Sequence, residues 1–211
     1  TWLKEADYLD ELMDDKGHAL RKLDARKWLV EQLGTQFQAL PSREHSLKLL
    51  KSSRYTRLLL DLSRWILTRG WQPFLDDKAR EKMAQDIRSF SVKQLDRTWA
   101  ELVEAFPAER QLNRQEYIDQ QYRLSRNLYT GICFASLYDT EDRNAFRLPW
   151  EDLKQGIDDL LMLEPLHKLL PSLEGENQMQ LERWLNRQEN SILHAMEQTR
   201  QMSIDTTPYW Q

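Results

Sequence analysis

Residues 122–138 read YRLSRNLYTGICFASLY and contain no Asp, Glu or Lys, in a chain of which 30% is charged. From Leu128 onward the apolar or small residues Leu128, Tyr129, Gly131, Ile132, Cys133, Phe134, Ala135, Leu137 and Tyr138 run almost all round a helical wheel. A helix that is apolar on every side is a buried helix, so the stretch predicts a central helix around which the rest of the chain packs. With Arg123 and Arg126 at one end and tyrosines throughout, it is too short and too polar for a membrane span. Gly131 costs about 1 kcal/mol of helix propensity against Ala, which predicts close approach of a neighbouring helix there. The single Cys133 cannot form an internal disulfide and reads as core filler in a reduced, cytoplasmic protein.

The remaining chain is helical in period. Six Gly and seven Pro in 211 residues argue against an all-β fold, and no strand-like alternation competes. Helical spacing runs over residues 2–13, with a stop at Asp14–Gly17, and resumes from Leu20 to Phe37 before Pro41. Helices are expected over 44–51, over 54–69 capped by Ser52 or Ser53 and closed by Gly70, over 78–88, and over 92–106 capped by Ser91. A long helix capped by Asn113 takes in the opening stretch. Residues 139–147 read as a polar loop, Pro149 as the first position of the next helix, Pro165 as a restart, and 174–202 as a last long helix. The expected fold is one all-α domain over 1–211, an antiparallel bundle of about eight helices with short connections.

Net charge is −4 and the isoelectric point about 5.7, so the chain as a whole is no obvious polyanion binder. The charge is uneven, however. Residues 43–69 carry Arg43, Lys48, Lys51, Arg54, Arg57, Arg64 and Arg69 against Glu44 and Asp61. Lys51, Arg54 and Arg57 follow at i+3 near a helix start, where free N–H groups also favour anions, and arginine forks match repeated phosphates. These residues, with Arg64, are the first candidate site for a polyanion. The plainer reading is a solvated face in which Asp61 pairs with Arg57 and Arg64. Arg123 and Arg126 form a second candidate, or else the exposed end of the buried helix.

No catalytic constellation stands out. Glu164-x-x-His167 is the one metal-like spacing, without the second such motif a bundle site needs. Asp76–Asp77 and Asp158–Asp159 lack a third aspartate three residues on and read as turn or helix-surface residues. There is no Gly-rich phosphate loop, nucleophile elbow or Cys/His cluster, so no cofactor is expected. The eight Trp are spread at helix edges as core anchors, not gathered as a base-stacking platform, and neither a membrane nor a specific nucleic acid is expected as partner.

A family resemblance rests on two runs. Ser53, Arg54, Tyr55, Leu58, Leu59, Leu60, Leu62 and Trp65 fall at the spacing of the Ser-Pro-Arg-Tyr, leucine cluster and Trp of CHAD domains. Arg126, Leu128, Tyr129 and Phe134 to Tyr138 resemble the central helix of the second CHAD half. Ala6 to Leu9, then Phe90, Leu95 and Arg97, and finally Trp184 with Pro208–Tyr209–Trp210 continue the resemblance in order. Ile118, Ser125 and Leu128 stand in slots that are basic or histidine in the family, and Arg126 alone keeps one. The resemblance implies an all-helical module that binds inorganic polyphosphate on a basic surface. Trp71 to Leu75 is similar to the branch in which CHAD follows a CYTH domain in bacterial inorganic triphosphatases. That implies a non-catalytic accessory domain, an upstream CYTH domain holding the active site, and further basic helices before Thr1. The alternative is a helical scaffold or protein-interaction module with no ligand.

Overall fold

The computed structural model describes Trp28, Leu29, Glu31, Gln32, Thr35 and residues 43–211. The helices expected at 2–13 and most of 20–37, with the Asp14–Gly17 stop, lie outside these residues. Every regular element among the described residues is helical, as the sequence predicts. The chain divides into two compact units, Thr1–Gln85 and Asp86–Gln211.

In the first unit, α1 (Arg43–Leu50) and α2 (Ser53–Leu67) are followed by a 3-10 turn at Gln72–Phe74 and by α3 (Asp77–Met83). Ser52 caps α2 as expected, its hydroxyl accepting from the Tyr55 N–H at 3.2 Å. At the other end the sequence assigns the stop to Gly70, but the residue in the left-handed region is Arg69, at φ 52°. The Gly70 N–H bonds back to Trp65 C=O at 2.7 Å and the Arg69 N–H to Ile66 C=O at 3.0 Å, the paired bonds of a Schellman motif. Gly70 serves the Trp65 ring instead, since a Cβ there would stand 2.3 Å from Trp65 Cδ1. That ring meets Trp71 edge to face at 5.5 Å. The α2 leucines Leu58, Leu59, Leu60 and Leu62 are exposed, and the helix buries no residue.

The second unit is built from α4 (Ile87–Ala105), α5 (Arg114–Asp119), α6 (Gln121–Cys133), α7 (Thr140–Met162), α8 (Glu164–Leu169) and α9 (Gly175–Ile204), with short 3-10 turns at Ala135–Leu137 and Leu170–Ser172. α4 packs on α6, α6 on α7, and α7 on α9. The helix expected over 78–88 stops at Met83, because Asp86 caps α4 by accepting from the Ser89 N–H at 2.8 Å. Ser91, expected as that cap, is buried inside α4, where its hydroxyl donates to or accepts from Tyr138 Oη at 2.6 Å. Asn113 does cap, in a full capping box with Glu116, but the helix breaks at Gln120 before α6 begins.

The centre of the unit is α7, not the carboxylate-free stretch at 122–138. α6 buries Leu124, Asn127 and Leu128, while Tyr129 and Ile132 are exposed at 63% and 52% and Cys133 is exposed too. The α-helix ends at Cys133, so a wheel drawn on to Tyr138 joins residues that share no helix, and an uncharged tyrosine face is not a buried one. By contrast α7 buries Phe146, Trp150, Leu153, Ile157 and Leu160. It begins at Thr140, capped by Asp139, and runs through Pro149, so the expected loop at 139–147 is helix. The proline removes the bond to Ala145 C=O, and Ala145 is exposed, where water can take that carbonyl. Aromatic rings tie the ends together: Trp99 meets Phe146 at 5.3 Å and Trp150 at 5.7 Å. The tail closes over them, with Trp210 at 5.1 Å from Phe146 and its indole N–H donating to Asp96 at 2.8 Å. The close approach at Gly131 is made by this tail rather than by a helix, Tyr209 Oη standing 3.3 Å from where a Cβ would be.

Candidate anion-binding site

α2 carries Arg54, Arg57 and Arg64, and Lys51 lies one residue before its cap. The steps of three and seven residues place Arg54, Arg57 and Arg64 along one side of α2, with Lys51 in the turn ahead of it. All four are exposed. Arg57 and Asp61 stand 4.0 Å apart with side chains 86% and 71% exposed, a pair worth well under 1 kcal/mol. Lys51, Arg54 and Arg64 form no ion pair among the described residues, and the Arg64–Asp61 pairing that the spacing allows is not made. No carboxylate occupies the first turn of α2, so its open end keeps the positive potential of the helix dipole.

Arg123 and Arg126 belong to α6, in the second unit. Arg123 is exposed and donates to Gln120 Oε1 at 3.0 Å. Arg126 is 35% exposed and bonded to Glu101 of α4, whose carboxylate also faces Arg97 at 3.5 Å. Arg126 therefore ties α6 to α4. Its partner is 25 residues away in sequence, beyond the reach of local spacing.

Four more arginines of this unit meet a carboxylate. Arg110 meets Glu116 at 2.8 Å, and Arg147 meets Glu151. Arg114 joins Glu164 and Glu189, the second at 2.8 Å. Its hydrogen bond holds the Glu164 carboxyl below the usual range. Arg200, fully buried, spans Glu197 and the Pro107 carbonyl, and Tyr117 donates to the same Glu197 at 3.1 Å. The hydrogen bond from Arg200 lowers the Glu197 carboxyl, while burial, then the Glu197 charge, raises the Tyr117 hydroxyl. Nothing local marks Arg200 as buried; its position next to Met196 and Ser203 on the covered edge of α9 is the only sequence trace.

The metal-like spacing resolves into this network. Glu164 faces Arg114, and His167 Nε2 lies 2.7 Å from Glu189, so a guanidinium sits where an ion would. Among the described residues no group of three His, Cys, Asp or Glu is placed to hold a metal, and no helix is long and apolar enough to cross a membrane. Asp158, expected at the surface, is 5% exposed, held by Lys154 at 2.7 Å and Gln121 at 3.1 Å. Asp76 is a turn residue as expected, capping α3 through the Ala79 N–H.

The CHAD domain family matches residues 4–171. The match takes in the Ser53–Trp65 run and the Arg126–Tyr138 run and stops before α9. No solved structure matches the chain. A match over residues 4–171 of 211, in an all-helical chain with both runs in order, shows that the chain belongs to the CHAD domain family.

Proposed function

We propose that this is a non-catalytic accessory domain that binds inorganic polyphosphate, or a similar polyanion, weakly and through α2. One observation carries the reading. Arg54, Arg57 and Arg64 are exposed on one side of α2, with Lys51 exposed just ahead of its cap and a single carboxylate, Asp61, among them. At 1.5 Å per residue the helical part of the stripe, Arg54 to Arg64, is about 15 Å long, a line of charge suited to a chain of phosphates rather than to one compact anion. Phosphoryl transfer needs metal-binding carboxylates and cations converging on the phosphates, and cations set along a helix side do not converge. Catalysis is accordingly assigned to an upstream CYTH domain of the same protein, an inorganic triphosphatase, and an exposed lone thiol suits a reducing cytoplasm.

The scaffold reading has its own support, since arginine after arginine of the second unit is matched to a carboxylate. The two readings separate in a titration with long-chain polyphosphate at low and moderate salt. Binding through α2 should weaken steeply with salt, because it rests on counterion release, and Arg54→Glu with Arg57→Glu should abolish it with the helical signal unchanged. Tight, salt-insensitive binding that survives the reversal would overturn the site. Absence of binding at any salt would favour the scaffold.

A further inference from the structure

The second unit contains a cavity of about 140 Å³ between α4, α6, α7 and the C-terminal tail, remote in character from the basic stripe. Its floor is apolar, with Leu128, Phe146 and Trp210. Apolar space of this order admits one small ring or branched chain. Two details show that it is kept open and kept polar at one point. Gly131 lines it, and any side chain there would reach into it toward Tyr209. The Tyr209 hydroxyl is buried on the same wall with no hydrogen-bond partner among the described residues, a condition rare for a buried polar group and one that calls for a partner. Burial raises that hydroxyl to about 12, so it is a proton donor at neutral pH.

The lining carries charge of one sign. Arg143 and Arg147 both border the cavity, and no Asp or Glu among the described residues does. Arg147 is engaged by Glu151 and Asn144. Arg143 gives one N–H to the Ala135 carbonyl and keeps the others without a partner among the described residues. A free cation and an orphan donor, over an apolar floor, define a ligand with one acceptor anion and an apolar body.

We propose that this cavity binds a small monocarboxylic acid with an aromatic or branched aliphatic body, its carboxylate accepting from Arg143 and the Tyr209 hydroxyl while the body fills the space against Leu128, Phe146 and Trp210. Inorganic phosphate offers the charge without the body, and a neutral alcohol offers the body without the charge.

The test is an NMR titration of the whole chain at neutral pH with benzoate, benzyl alcohol and inorganic phosphate, following the Gly131 amide and the Trp210 indole. Benzoate should shift both signals saturably, with benzyl alcohol weaker by about tenfold or more, as loss of charge-assisted bonds requires, and phosphate should not displace it. Tyr209→Phe and Arg143→Met, which keep the apolar stems, should each weaken benzoate by about tenfold while leaving benzyl alcohol unchanged. Equal affinity for benzoate and benzyl alcohol, displacement by phosphate, indifference to both substitutions, or no saturation by about 10 mM benzoate, which corresponds to less than 3 kcal/mol, would each overturn the proposal.

Discussion

Arg69 is the described non-glycine residue with a positive φ, 52°. It occupies the turn that ends α2, where glycine is the usual residue because an L side chain crowds the following carbonyl. The glycine stands one place later, at Gly70, where the Trp65 ring demands it. Arg69→Gly should therefore stabilise the end of α2 by on the order of 1 kcal/mol, visible as slower exchange of the amides at positions 69 and 70, whose N–H groups make the two closing bonds. Gly70→Ala should act in the opposite direction, since the indole cannot yield without losing Trp71. If Arg69→Gly left or lowered the protection of that turn, the arginine would have to be held by contacts other than its backbone.

Among the elements, α7 sets the packing of the second unit, and its tightest point is Gly156. A Cβ at this position would stand 2.4 Å from Met196 Cγ and 2.8 Å from its sulfur, and both residues are buried. Alanine would gain about 1 kcal/mol of helix propensity, but forcing Met196 from its place costs about 1–3 kcal/mol. Gly156→Ala should thus lower the melting temperature. In a Met196→Ala background, where the obstructing side chain is gone, the same substitution should be neutral or stabilising. A higher melting temperature for the single variant would show that α7 and α9 are not held apart by this contact.

At the scale of the molecule, the second unit is stapled by two arginines whose ion pairs and hydrogen bonds link residues far apart in sequence. Arg114 joins α5 to α8 and α9, and Arg200 joins α9 to Pro107 and, through Glu197, to Tyr117. Glu164 and Glu197 both titrate below their ordinary value, each held down chiefly by its arginine. The native state then binds fewer protons than the unfolded state near pH 4, so this stability is present above the usual glutamate pKa of about 4.3 and is lost as pH falls through the lowered values. The melting temperature should be level from neutral pH to about 5 and drop below about 4. Glu197→Gln should start lower, because Arg200 loses its charge partner, and should show a shallower acid limb. Parallel acid limbs in the two proteins would exclude Glu197 from the transition.

The sequence by itself determined the helical class and most element ends. Ser52, Asn113 and Pro165 act within one turn of their own position, and local chemistry settles what they do. It also determined the α2 stripe, because i+3 and i+7 spacing is a property of a single helix. It did not determine what is buried. The run at 122–138 reads as central because from Leu128 on it has no charged residue and no breaker, whereas the true core helix, α7, contains Pro149 and begins in a polar segment. Only packing turned Phe146, Trp150 and Ile157 inward and brought Trp210 back over them. Packing likewise gave Arg126 its Glu101, Arg114 its Glu164 and Asp158 its Gln121, since a charge chooses its partner by distance in space. The cavity beside Tyr209 belongs to the same class: it exists between four segments, and no one of them encodes it alone.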